Sequence, residues 1–95
     1  MAAYLIADVS ISDDSTYETY RQQVPAIIAA YGGRYIVRGG GAELLEGTRS
    51  PNRTVVLEFS TMDALKAFWE SPEYRPLRVL RESCATSNIV AVTGL

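Results

Sequence analysis

Three charges lie inside otherwise apolar runs: Asp8 in AYLIADVSI, Arg38 in RYIVR and Glu58 in RTVVLEF. A charge carried into an apolar layer is costly unless it is paired. If these runs are neighbouring strands, the residues form an acid–base–acid cluster on one face. Arg38 would then anchor an anionic or carbonyl group and Glu58 would move a proton, with Asp8 lining the same pocket. The same three charges equally suit an ion-pair network at a subunit interface or barrel rim. A second group is aromatic. Tyr20 and Tyr74 sit in apolar stripes yet carry hydroxyls that can bond a ring-shaped ligand, and Trp69 adds a large flat surface. Arg81 follows Leu77 and Leu80, where it can pair with Glu58, bind an anion or point to solvent. The tyrosines and Trp69 equally suit a hydrophobic core.

The chain contains no histidine. That removes the commonest general base, the usual zinc ligand and every Ser-His or Cys-His pair. Chemistry must come from carboxylates, phenols, guanidiniums or the lone thiol, Cys84, which reads as a small apolar filler. Glu43 and Glu46 are weak grounds for a metal, and no metal or cofactor is expected.

These residues need elements to hold them. Residues 3 to 11 read as a buried strand. SDDST follows, with Ser15 and Glu18 at capping-box spacing. Tyr17, Tyr20, Val24, Ile27, Ile28 and Tyr31 then recur at helical steps on one face. Pro25 interrupts that run and predicts a kink. Gly32-Gly33 predicts the helix end. RYIVR, 34 to 38, is a second strand, AELLEG a short extension or hairpin arm, and RTVVLEF, 53 to 59, a third strand. Ser60 or Thr61 can cap a helix bearing Met62, Leu65, Phe68 and Trp69. SPEY restarts it, with Ser71 as cap and Pro72 at the first turn, so that Tyr74, Leu77, Leu80 and Cys84 share a face. SNIVAVTGL supplies a fourth strand.

The order is βαββαβ, an α+β ferredoxin-like pattern of four antiparallel strands in order 4-1-3-2 with helices on one face. Period-two reading places Leu5, Ala7, Val9, Tyr35, Val37, Val55, Leu57 and Phe59 on one side of the sheet. Tyr4, Ile6, Asp8, Ile36, Arg38, Val56 and Glu58 fall on the other. Both sides are too apolar to face water, and helices cover only one. A two-fold homodimer is the expected remedy.

The glycine-rich stretch YGGRYIVRGGG, from residue 31, does not resemble a phosphate loop. Such a loop needs glycines between a strand and a helix. Here one cluster follows a helix and the other lies in extended chain, so a C-cap and a bulge are expected.

The totals agree with a small globular domain. Hydrophobic residues make up 47% of 95, charged residues 21%, and the net charge is −2. There is one lysine and no basic stripe, which argues against nucleic-acid binding. No apolar run reaches the roughly 20 residues of a membrane span. With a poor leader pattern and one cysteine, a single cytoplasmic domain over residues 1–95 is expected.

YGGRYIVRGG, LEGTRSPNRTVVLEF, the Trp69 helix and SPEYRPLRVLR, in this order and spacing, resemble the family known as domain of unknown function 1330. The similarity runs from about Tyr4 to Val92. It implies membership of the dimeric α/β-barrel superfamily, in which two ferredoxin-like sheets pack into a barrel with helices outside. It implies no single activity. That superfamily holds cofactor-independent monooxygenases, lactone isomerases, haem-dependent members and stress-related proteins. Lack of histidine disfavours the haem-dependent chemistry. The expected function is a homodimer with a small-organic-molecule pocket between sheet and helices, acting as a cofactor-free isomerase or monooxygenase. The alternative is a non-catalytic binding or sensor module whose charged cluster is structural.

Overall fold

Seven elements build the chain in the computed structural model, which describes residues 1–95. They are β1 (Ala3–Ile11), α1 (Asp14–Ala30), β2 (Arg34–Gly40), β3 (Arg53–Phe59), α2 (Met62–Trp69), α3 (Arg75–Cys84) and β4 (Ala85–Thr93). The sheet is antiparallel with strand order β2-β3-β1-β4, as the ferredoxin-like reading requires. All three helices lie on the face carrying Leu5, Ala7, Val9, Leu57 and Phe59, each of which is buried. Phe68 of α2 packs its ring 5.5 Å from Phe59 and 4.4 Å from Tyr74, which links sheet, α2 and the approach to α3.

Helix boundaries follow local hydrogen-bond chemistry. Asp13, rather than Ser15, is the N-cap of α1: its carboxylate accepts from the Thr16 amide, while the Ser15 hydroxyl donates to the same carboxylate. A charged acceptor beside free amides outcompetes a neutral hydroxyl. At the other end Gly32 takes φ +80°, and the amides of Gly33 and Gly32 donate to the carbonyls of Ile28 and Ala29. That is the paired closure of a Schellman motif. Thr61 caps α2 through the Ala64 amide. Ser71, itself buried, accepts from the Tyr74 amide and donates to the Phe68 carbonyl. It thereby stitches α2 to a single turn before α3. The carbonyl of Cys84 accepts from Ser12 N, Asp13 N and Ser12 Oγ, so β4 leaves α3 without a loop and starts earlier than SNIVAVTGL suggests.

Pro25 does not break α1, which runs unbroken from residue 14 to residue 30. A proline here leaves the carbonyl four residues earlier, that of Arg21, without its amide partner. Arg38 Nη2 donates to that carbonyl at 3.4 Å.

β2 departs furthest from the sequence reading. Tyr35 pairs with Leu57, but Val37 pairs with Val56 and Arg38 with Val55. The ladder has accommodated one extra residue, a β-bulge at Ile36. One inserted residue exchanges the faces of all that follow. Val37 therefore moves to the outer face, and Arg38 to the helix-covered face. A second irregularity at Gly39, φ +72°, precedes Gly40 opposite Thr54. Residues 41–52 then form an exposed connection, so AELLEG is no strand.

The outer sheet face carries the row Val56, Ile6 and Val90, aligned by register across three strands. Ile6, Val90 and Val92 are each exposed by more than a third.

Candidate functional site

The face exchange in β2 separates the three strand charges. Asp8 and Glu58 remain on the outer face, while Arg38 stands on the opposite one beside α1. Glu58 accepts from Arg34 Nε at 2.7 Å and from the Tyr4 hydroxyl at 2.9 Å. Those bonds, Arg34 first, hold its carboxyl below the ordinary glutamate value. Asp8 accepts from the Asn52 amide at 3.0 Å and meets Arg49 at 3.9 Å, anchoring the end of the 41–52 connection. Arg38 lies 4.6 Å above the Tyr35 ring. The expected acid–base–acid cluster therefore does not assemble. Glu58, the expected proton carrier, is instead engaged with Arg34.

The aromatic candidates do converge. Tyr20 projects from α1 and Tyr74 from the turn before α3, and their hydroxyls meet at 2.9 Å. Trp69, at the end of α2, has its ring 5.7 Å from that of Tyr74. Arg81 lies one helical stripe along from Tyr74 and Leu77, in the series 74, 77, 81, 84, and is only 4% exposed. Its guanidinium carbon is 6.0 Å from the Tyr20 ring and 5.9 Å from the Trp69 ring. Around these groups the sheet and helices enclose a cavity of about 40 Å³. Tyr17, Tyr20, Tyr35, Tyr74, Arg21, Arg53 and Arg81 line it, with Leu5, Val9, Leu57, Ile89 and other apolar side chains.

The electrostatics of this space are one-sided. The ion pairs of the structure join Arg21 to Glu18, Arg34 to Glu58, Arg49 to Asp8 and Arg78 to Glu82. Neither Arg81 nor Arg53 belongs to one. The Nε atoms of both are buried without a hydrogen-bond partner. Burial alone would lower the Arg81 pKa, but the facing oxygens of Tyr74 and Tyr20 outweigh it and leave the cation favoured. Burial, reinforced by the neighbouring Tyr74, pushes the Tyr20 phenol far above its ordinary value. The cavity thus sets the Arg81 cation beside an un-ionised Tyr20 phenol. A phenol pair uses one hydroxyl proton for its mutual bond, so the second remains available for donation. No carboxylate lines the cavity.

A second space adjoins it. Leu5 and Ile89 line both the cavity and an open groove of about 320 Å³ between α2 and the inner face of β4. Leu65, Lys66, Trp69, Glu70, Val90 and Ala91 complete the groove. Only this second space has the size of a small-molecule site, which begins at about 300 Å³.

Arg53 was not among the sequence candidates. Its signal was present, because it shares the period-two set of Val55, Leu57 and Phe59, which marks it as facing the helices. Gly39 is what gives it room. A Cβ there would collide with the Arg53 guanidinium.

Fold and site together define an α+β, ferredoxin-like protein with a cationic, phenol-lined space between sheet and helices. The chain belongs to the family described as domain of unknown function (DUF1330), whose model matches residues 2–95. Among solved structures it is similar to a protein of unknown function from Rhodopseudomonas palustris, with 16% identity and a TM-score of 0.79 over 99% of this chain and 82% of that one. It is also similar to SnoaB, a cofactor-independent oxygenase from Streptomyces nogalater, with 14% identity and a TM-score of 0.68 over 99% and 93%. A dimeric ferredoxin-like protein of unknown function from Thermobifida fusca matches with 17% identity and a TM-score of 0.67 over 99% and 92%. No protein of curated function matches the sequence. At these identities the likeness establishes the fold.

Proposed function

We propose that the chain is a homodimeric small-molecule protein whose ligand lies between sheet and helices, with its body in the groove under Trp69. The observation that carries this reading is the adjacency of a ligand-sized apolar groove to a space where Tyr20, Tyr74 and Arg81 converge. A planar organic molecule suits the groove, because Leu5, Leu65, Ile89 and Trp69 offer mainly apolar contact.

A catalytic version draws support from the SnoaB likeness and from the charge of the site. A cofactor-free oxygenase must stabilise an enolate or phenolate long enough for it to pass an electron to dioxygen. A buried guanidinium and a free phenol proton do that. The cavity provides no carboxylate or histidine base, so the substrate would have to ionise readily by itself unless Glu70 of the groove takes its proton.

Trp69 is the only tryptophan, so its fluorescence reports the groove directly. Titration with planar aromatic ketones and acids should quench it saturably, and Ala91→Phe, which fills the groove, should abolish the response. Absence of saturable quenching by every member of the panel would refute the pocket.

A further inference from the structure

Arg81 presents a contradiction that the fold does not resolve. A guanidinium so far removed from solvent normally faces a carboxylate, since a charge taken out of water needs a counter-charge, and here only the Tyr74 and Tyr20 oxygens face it. Here the fraction exposed is 4%, no ion pair includes the residue, and its Nε has no partner. The Tyr20 and Trp69 faces contribute cation–π attraction, but both rings lie near 6 Å, the outer limit of that interaction. Arg53 repeats the pattern at the other element bordering the same cavity, with an orphaned Nε and a Tyr17 ring 5.7 Å away. The third cavity arginine, Arg21, is the informative exception. It is neutralised by Glu18 through two hydrogen bonds. Local pairing was available to these helices and strands, yet the two deeper cations go without it.

We infer that this cavity is the receptor for the carboxylate of an organic acid. Arg81 is the specificity-determining contact, and Arg53 and the Tyr20–Tyr74 hydroxyls assist it. A cavity of about 40 Å³ holds a head group of a few heavy atoms and no more. The acid's apolar body would extend past Leu5 and Ile89 into the groove. A planar carboxylate offers two acceptors to the donor fork of a guanidinium. A free phenol proton supplies a third donor. This inference rests on the pocket proposed above and adds to it the charge and class of the ligand.

The test compares two probes of one shape and different charge, 2-naphthoate and 2-naphthamide, by Trp69 fluorescence and calorimetry on the intact protein. Naphthoate should bind about tenfold or more tighter than the amide, as expected for a charge-assisted pair. Arg81→Met should bring that ratio close to one while leaving the amide's affinity in place, and Arg81→Lys should restore part of it. The melting temperature of Arg81→Met should change by only a few degrees, because phenol oxygens rather than a counter-ion face the cation that is removed. Equal binding of the two probes by the unsubstituted protein overturns the carboxylate receptor and leaves the pocket standing. Binding of neither removes the pocket itself. Retention of the full ratio in Arg81→Met, or in Arg81→Gln should the Met variant unfold, makes the residue a core element and overturns its role.

Discussion

Arg38 Nη2 donates to the backbone carbonyl of Arg21, the acceptor that Pro25 leaves without an amide. A residue from β2 thus completes the hydrogen bonding of α1, and the helix passes its proline without a break. The pairing depends on the bulge at Ile36, which puts Arg38 on the helix side of the sheet.

If Arg38 serves Pro25, their substitutions must be coupled. Pro25→Ala restores the amide and should stabilise the chain by about 1–3 kcal/mol. Arg38→Met should cost up to about 1 kcal/mol with Pro25 present, and close to nothing in the Pro25→Ala background. Urea unfolding of the four variants measures this. Equal costs in both backgrounds would disconnect the two residues.

Gly39 and Gly40 should respond oppositely to alanine. Gly39 has φ +72°, and a Cβ there runs into the Arg53 guanidinium; Gly40 has open space around it. Gly39→Ala should cost about 1–2 kcal/mol and weaken naphthoate binding by displacing Arg53. Gly40→Ala should change stability by less than about 0.5 kcal/mol. Thermal melts with parallel binding titrations decide between them.

The Tyr20–Tyr74 hydroxyl pair predicts non-additivity. Tyr74 is 2% exposed, so losing either hydroxyl strands the other. Tyr20→Phe and Tyr74→Phe should each cost about 1–2 kcal/mol, and the double variant less than their sum. Additive costs would mean that the bond contributes nothing.

Glu58 links stability to pH from both directions. Its folded pKa lies below the ordinary 4.5, because Arg34 and then Tyr4 bond the anion. Its stabilisation is therefore present above 4.5 and lost as pH falls through the lowered value. The Tyr4 phenol lies above its ordinary 10.0, chiefly through the same carboxylate. Its share is present below 10.0 and lost as pH rises through the raised value. Glu58→Gln should flatten both limbs of the stability–pH profile. It should leave naphthoate binding unchanged, because Glu58 faces away from the cavity. A binding loss would place Glu58 in the site after all.

Homodimerisation through the outer sheet face predicts a sharp response at Ile6, which sits between Val56 and Val90 in register. Stable interfaces bury about 1,200–2,000 Å² in total, and a central charge leaves them unable to close. Sedimentation should show a two-chain species for the unsubstituted protein and a single chain for Ile6→Lys. A single chain in both cases removes the dimer.

Residue order alone determined most of the architecture. Alternation of apolar residues in 3–11 and 53–59, helical steps from Tyr17 to Ile28, Gly32 after the last turn and SPEY before α3 are local signals. Each is set by backbone geometry and by contacts a few residues apart. The stripe read from sequence, Tyr74, Leu77, Leu80 and Cys84, left Arg81 open to several partners; the fold buries Arg81 in that series instead of Leu80. What surrounds Arg81 is another matter. Tertiary structure alone decided that Glu58 belongs to Arg34, that Arg38 serves the carbonyl opposite Pro25, and that Arg53 shares a cavity with Arg81. Those outcomes turn on one extra residue at Ile36 and on the meeting of strands and helices far apart in the chain. A bulge has no requirement of residue type strong enough to mark it, yet it reverses every side chain that follows. Charge pairing is settled only when the faces are.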